Sequence, residues 1–92
     1  MLFRSRKYNL ETYFIHRTGH SIAPGEILHS LTVNLDNYET KDTRKILPGL
    51  GFSVEPGIYL PEFGVRSEIN VYVDSQEGPI VTTEQQDKIL TF

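Results

Sequence analysis

Three histidines, His16, His20 and His29, crowd one short stretch of this chain, and two glutamates, Glu55 and Glu68, punctuate its apolar second half. Imidazole is the commonest nitrogen ligand and titrates near neutrality, so such clustering points toward metal binding or proton transfer. On a helix His16 and His20 would share a face, but Thr18-Gly19 opposes a helix there. The helical zinc-protease pattern needs glutamate straight after the first histidine, and that position is Arg17. Each histidine taken singly also suits a structural or solvated role. The chain has no cysteine, which excludes a thiol nucleophile, disulfides and zinc fingers. Ser5, Ser21, Ser30, Ser53, Ser67 and Ser75 lack any nucleophile-elbow context, so serine catalysis has no support.

The glutamates acquire meaning from the strands that must carry them. Gly51 to Leu60 and Gly64 to Val73 read as strands, separated by the turn-like Pro61-Glu62-Phe63. In the second strand Val65, Ile69, Val71 and Val73 share one face, and Arg66, Glu68, Asn70 and Tyr72 the other. A tight turn at Pro61-Glu62 pairs Leu60 with Phe63, which sets Val65 opposite Ile58 and Glu68 opposite Glu55. Pro56-Gly57 must interrupt the ladder and could shift that register by one. Like charges directly across a sheet are destabilising. If they are buried, one takes up a proton or both share a cation. Carboxylate oxygens suit manganese, and an added imidazole widens the choice to cobalt, iron or zinc. Two exposed glutamates on a solvated sheet face are the alternative. Against it, Pro-Gly inside an apolar strand serves packing poorly, and Arg66 could hold a carboxylate in a bidentate grip.

The remaining elements are expected as follows. Residues 1–12 form an irregular lead-in, and Thr12 to Thr18 could be a strand. Ala23-Pro24-Gly25 is a turn. Asn34 to Lys45 is polar and turn-forming, and Pro48-Gly49 closes it. Asp74 to Pro79 is a further turn before a short strand, Ile80 to Thr83. The fold expected is an antiparallel, β-rich α+β piece in one small domain of 92 residues. With a net charge of -3 there is no basic excess, which argues against a nucleic-acid partner. Arg4, Arg6 and Lys7 read as a solvated terminus. No apolar run approaches the roughly 18 residues of a membrane helix, and no signal-peptide core is visible, so no membrane partner and a cytoplasmic location are expected.

Four segments in order carry a resemblance: His16-Arg17-Thr18-Gly19-His20-Ser21-Ile22, Asn34-Leu35-Asp36, Phe52-Ser53-Val54-Glu55-Pro56-Gly57-Ile58-Tyr59, and Gly64-Val65-Arg66-Ser67-Glu68. Together, over about Tyr13 to Val73, they resemble the pita-bread metallopeptidases, in the aminopeptidase P and prolidase branch. The resemblance implies the C-terminal half of a pita-bread catalytic domain. In that family two divalent metal ions, manganese first, are held by two aspartates, one histidine and two glutamates. By resemblance His20, Glu55 and Glu68 are the metal ligands present here, with Glu68 bridging the ions. His16 corresponds to a pocket histidine beside the substrate and His29 to the one that steadies the scissile carbonyl. Arg66 and Tyr59 correspond to supporting residues around the ligands. The implied reaction is hydrolysis beside proline in a peptide, by a water bridging the metals, with Glu55 taking its proton.

Two departures from the family pattern stand out. Ala23-Pro24 is inserted ahead of Gly25-Glu26-Ile27-Leu28-His29, which lengthens the spacing from His20 to His29. Both aspartate ligands normally precede the histidine, yet no aspartate lies before His20, and Asp36 and Asp42 follow it. The expectation is a partial catalytic domain that holds one metal ion or none. It would associate with itself or with a missing N-terminal half. A pita-bread-derived interaction module without catalysis is the alternative.

Overall fold

A computed structural model describes residues 2–89, with the side chains of residues 2–4 outside the description. The chain opens on helix α1 (Leu2–Lys7), followed by a single turn of 3-10 helix at Glu11–Tyr13. A short helix and one 3-10 turn thus occupy the lead-in. Leu2, Arg4, Arg6 and Lys7 are good helix formers. The Ser5 carbonyl accepts both the Tyr8 N–H at 3.2 Å and the Leu10 N–H at 2.7 Å, and Asn9 ends the helix at a φ of 56°. Arg6 and Lys7 are exposed, as a solvated terminus requires.

The strand expected over Thr12 to Thr18 is not formed. The segment finds no neighbour to complete a ladder until Thr18 and Gly19, whose N–H groups both donate to the Leu35 carbonyl at 3.0 and 3.2 Å. Among the described residues there are six strands, β1 (Ser21–Ile22), β2 (Gly51–Val54), β3 (Gly57–Tyr59), β4 (Gly64–Arg66), β5 (Ile69–Asp74) and β6 (Gly78–Val81). Strands β1, β2, β5 and β6 form one antiparallel sheet in the order β1-β2-β5-β6, and β3 pairs with β4 in a second.

The two sheets are one interrupted hairpin. Leu60 N–H donates to the Phe63 carbonyl at 2.9 Å, and Ile58 pairs with Val65, as the turn at Pro61-Glu62 requires. Further along, Val54 pairs with Ile69 and Phe52 with Val71. The register is the same on both sides of the break, so the Pro56-Gly57 interruption adds no residue to either strand. At the broken rung Ser67 N–H still reaches the Pro56 carbonyl at 3.2 Å, while proline has no N–H to return. Glu55 and Glu68 thus lie directly opposite each other where both strands stop.

β6 begins two residues earlier than the expected Ile80. The Asp74 carboxylate accepts the N–H groups of Gln76 and Glu77 at 2.8 and 3.0 Å, which tightens the turn before it. Those backbone donors, Glu77 first, hold the Asp74 carboxyl below its ordinary range. Pro79 is tolerated because β6 is an edge strand.

Only three hydrophobic side chains are buried among the described residues: Phe14, Val33 and Phe52. Ile69, Val71 and Val73 are half-buried, and Val65 is exposed, so the apolar face of the hairpin is not fully covered. The deepest side chains are instead the serines Ser21 and Ser53.

Candidate metal centre

The pairing of β1 with β2 decides where the first histidines go. Ser21 pairs with Phe52, and the same register continues beyond β1: Ser53 N–H donates to the His20 carbonyl at 2.9 Å, and Glu55 N–H to the Thr18 carbonyl at 2.7 Å. His20 therefore lies across from Ser53 on one side of β2, and Glu68 across from Glu55 on the other. Ser53 and Glu55, two residues apart, share a face of that strand. Gly19 makes this approach possible, because a Cβ there would overlap the Ser53 carbonyl oxygen.

In both His16 and His20 the ring Nδ1 contacts the carbonyl of the next residue, Arg17 at 2.6 Å and Ser21 at 3.0 Å. A carbonyl can only accept, so each Nδ1 carries a proton, and in the neutral ring Nε2 is left as an acceptor. For His16 the partner of Nε2 is the Tyr59 hydroxyl, which donates at 2.8 Å. The pair occupies space that Gly57 leaves free: a Cβ on Gly57 would come within 2.6 Å of the Tyr59 hydroxyl and 2.9 Å of His16 Nε2. For His20, Nε2 faces Glu55 Oε1 at 3.2 Å, with both side chains largely buried.

A lone pair set against a carboxylate oxygen calls for a cation between them, either a second ring proton or a metal ion. The donor pair fits a divalent metal. His20 and Glu55 would hold such an ion through one imidazole nitrogen and one carboxylate oxygen, a donor set that suits manganese, cobalt, iron or zinc. A ring Nδ1–H held by a carbonyl is the usual support of a metal-ligating histidine.

Glu68 stands apart from this pair. Its carboxylate is half-exposed, and the Arg66 guanidinium reaches Glu68 Oε2 and Glu55 Oε2 at 3.7 Å each. Arg66 thus spans two carboxylates rather than gripping one in bidentate fashion. This is how the like-charge conflict across the hairpin is met. Among the described residues no group of three or more His, Cys, Asp or Glu side chains is disposed to hold a metal ion.

His29 returns to His20 in spite of the Ala23-Pro24 insertion. Ile22 bridges His29, and Ser30 N–H donates to the Ser21 carbonyl at 3.0 Å, so the intervening residues loop out between two fixed ends. The His29 ring stacks on His20, with centroids 3.8 Å apart and planes 25° from parallel. His16, Arg17, His20, His29, Glu39, Glu55 and Arg66 together line an open cavity of about 270 Å³.

Two further residues, one buried behind the His20–Glu55 pair and one lining the cavity, were not assigned a role from sequence. Ser53 is 1% exposed; its hydroxyl donates to Glu55 Oε1 at 2.9 Å and accepts the His20 N–H at 3.0 Å. Its position two residues before Glu55 was the available signal. Glu39 is brought in by a loop: the buried Asp36 carboxylate accepts the N–H groups of Tyr38, Glu39 and Thr40, and Glu39 Oε1 then accepts the Arg17 N–H at 3.2 Å. Asp36 is fully engaged in that turn. Asp42 is held by Arg44, at 2.6 Å between Arg44 Nη2 and Oδ2, and by the Asn34 N–H at 2.8 Å. Neither aspartate lines the cavity.

Residues 2–75 match the model of metallopeptidase family M24, and the chain belongs to that family. Its backbone is similar to a prolidase from Thermococcus sibiricus, with a TM-score of 0.72 and 30% identity over 96% of this chain and 22% of that one. It is also similar to a Xaa-Pro dipeptidase from Bacillus anthracis, with a TM-score of 0.64 and 27% identity over 94% of this chain and 22% of that one. Among curated proteins, the probable dipeptidase PepE of Mycobacterium bovis is 37% identical over 73 residues, which is 77% of this chain and 17% of the relative. The chain thus spans about a fifth of the length of the proteins it matches. The antiparallel β-rich architecture is that of the prolidase pita-bread domain. No described helix is long and apolar enough to cross a membrane.

Proposed function

We propose that this chain supplies one wall of a metal-dependent peptidase site of the Xaa-Pro type. The observation that carries this reading is the His20–Glu55 pair, 3.2 Å apart, with the histidine tautomer set by the Ser21 carbonyl and Glu68 on the facing strand. His20 and Glu55 would hold a divalent ion, with manganese the first candidate and cobalt, zinc or iron the others; Glu68 would join once Arg66 withdraws from it. When bound, such an ion acts as a Lewis acid that polarises a carbonyl and lowers the pKa of water. Glu55 would accept the water's proton, a reading supported by its carboxylate being the one from the hairpin that lines the cavity. His29 and His16 flank the place where a peptide would lie, His16 oriented through Tyr59. The remaining ligands would come from chain beyond this sequence or from a second copy.

Cobalt titration followed by absorption tests the reading. Wild-type protein should bind, and His20→Ala and Glu55→Gln should each weaken binding at least tenfold, as removal of a ligand requires. A Xaa-Pro dipeptide should shift the His16 and His29 ring resonances more than its alanine counterpart. Equal cobalt binding by wild type and both variants would remove the metal assignment.

One observation favours a second reading, a metal-free interaction module. Arg66 already bridges Glu55 and Glu68 as an internal cation. In that case cobalt does not bind the wild-type chain, and Arg66→Met does not create a site.

A further inference from the structure

The Glu55 carboxylate has few means of holding its place. It ends a flexible side chain with several rotatable bonds. Its contacts with Arg66 are 3.7 Å long, and the Arg66 side chain is 51% exposed. Its contact with His20 Nε2 is between two acceptors unless a cation joins them. What remains is one short hydrogen bond, from the Ser53 hydroxyl to Oε1 at 2.9 Å.

We propose that Ser53 is a positioning residue that presets Glu55 and His20 as a donor pair for one divalent cation. The inference rests on the metal reading above. A hydroxyl has one proton to give and lone pairs to accept with. Here the proton goes to Glu55 Oε1, since the other candidate acceptor, the His20 carbonyl, is 3.4 Å away and uncharged. A lone pair accepts the His20 N–H at 3.0 Å. One side chain thus fixes the backbone of the histidine and the carboxylate of the glutamate together. Because Ser53 is almost wholly buried on a paired strand, it has no freedom to follow either partner if they move. Serine here is not a nucleophile, since it is almost wholly buried and does not line the cavity.

The test compares wild type with Ser53→Ala, with Ser53→Cys, which nearly keeps the volume but donates weakly, and with Ser53→Thr, which keeps the hydroxyl. Scalar couplings along the Glu55 side chain, measured by NMR on metal-free full-length chain, read its rotamer directly. Wild type and Ser53→Thr should show one rotamer, whereas Ser53→Ala and Ser53→Cys should show averaged couplings. Cobalt affinity should fall about 10- to 100-fold in the alanine and cysteine variants and return to within about threefold in the threonine variant. A single Glu55 rotamer with undiminished affinity in Ser53→Cys overturns the proposal, and that variant decides the question if Ser53→Ala does not fold. If wild type binds no cobalt, the metal reading fails, and the couplings alone decide whether Ser53 positions Glu55.

Discussion

Glu55 and Glu68 face each other across the one rung at which both strands of the long hairpin stop, and Arg66 reaches a carboxylate oxygen of each at 3.7 Å. A guanidinium held at that distance by two carboxylates stands where a shared cation would be expected. Its removal has a direct consequence. Arg66→Met should destabilise the chain by about 0.5–1 kcal/mol at low ionic strength, in keeping with half-exposed ion pairs, and by less in high salt. Urea unfolding at the two salt levels measures this; a loss independent of salt would mean that Arg66 acts through packing of its stem.

Two glycines should fail for different reasons. Gly19→Ala drives a methyl group into the Ser53 carbonyl, a backbone atom that cannot rotate away, and should cost about 2–3 kcal/mol. Gly25 has open space around it but a φ of 87°, so Gly25→Ala should cost only about 1 kcal/mol, through left-handed strain. Thermal melts of the two variants give the ordering, and a milder effect at Gly19 than at Gly25 contradicts it.

Acid should unlock the loop that carries Glu39. The Arg44 side chain, followed by the Asn34 N–H, holds the Asp42 carboxyl well below the usual carboxylate range. A group depressed on folding contributes stability that is complete above its unfolded pKa and is lost as pH falls toward its folded one. Asp42→Asn should therefore lower the urea midpoint at neutral pH, and the gap from wild type should close progressively below about pH 4. A gap of constant size down to strong acid would show that the Asp42 charge is not what matters.

Loaded with manganese, cobalt or zinc, the 92-residue chain should not turn over a Xaa-Pro dipeptide or a Xaa-Pro-Xaa tripeptide. Glu55 and Glu68 offer two carboxylates against the two divalent ions of a dinuclear site, and Asp36 and Asp42 are committed to loop turns. A lone ion can still polarise a carbonyl, but the clamp on attacking and leaving groups is absent. Metal-dependent turnover comparable to a complete family enzyme would show that a second copy of the chain completes the ligand set.

The loop between the bridged ends Ile22 and His29, with the residues just after it, exposes Ile27, Leu28 and Leu31, the last at 97%. Exposed apolar side chains close together in sequence favour association with another surface. Sedimentation should show association that strengthens with concentration, and Leu28→Asp with Leu31→Asp should shift it toward monomer. A wild-type chain that stays monomeric at high concentration would leave that loop without a partner among copies of itself.

The facing of Glu55 and Glu68 was legible in the residues alone. Pro61-Glu62 permits a tight turn, a tight turn pairs Leu60 with Phe63, and a period of two then sets every later rung. Pro56 announced the break in the ladder, although only the structure shows that no residue is added there. The placement of the histidines was different. No local rule says that β1 lies on the free edge of β2, yet that pairing sets His20 against Ser53 and beside Glu55. Nor does any rule show that a loop with two extra residues closes to stack His29 on His20, or that an Asp36-centred turn turns Glu39 toward the same cavity. The half-burial of Ile69, Val71 and Val73, which alternation marked as a core face, has the same origin. Turn chemistry and strand period act between residues close along the chain or directly across a hairpin; which edge pairs next, and which face is covered, depends on segments distant in sequence, and only packing in three dimensions decides it.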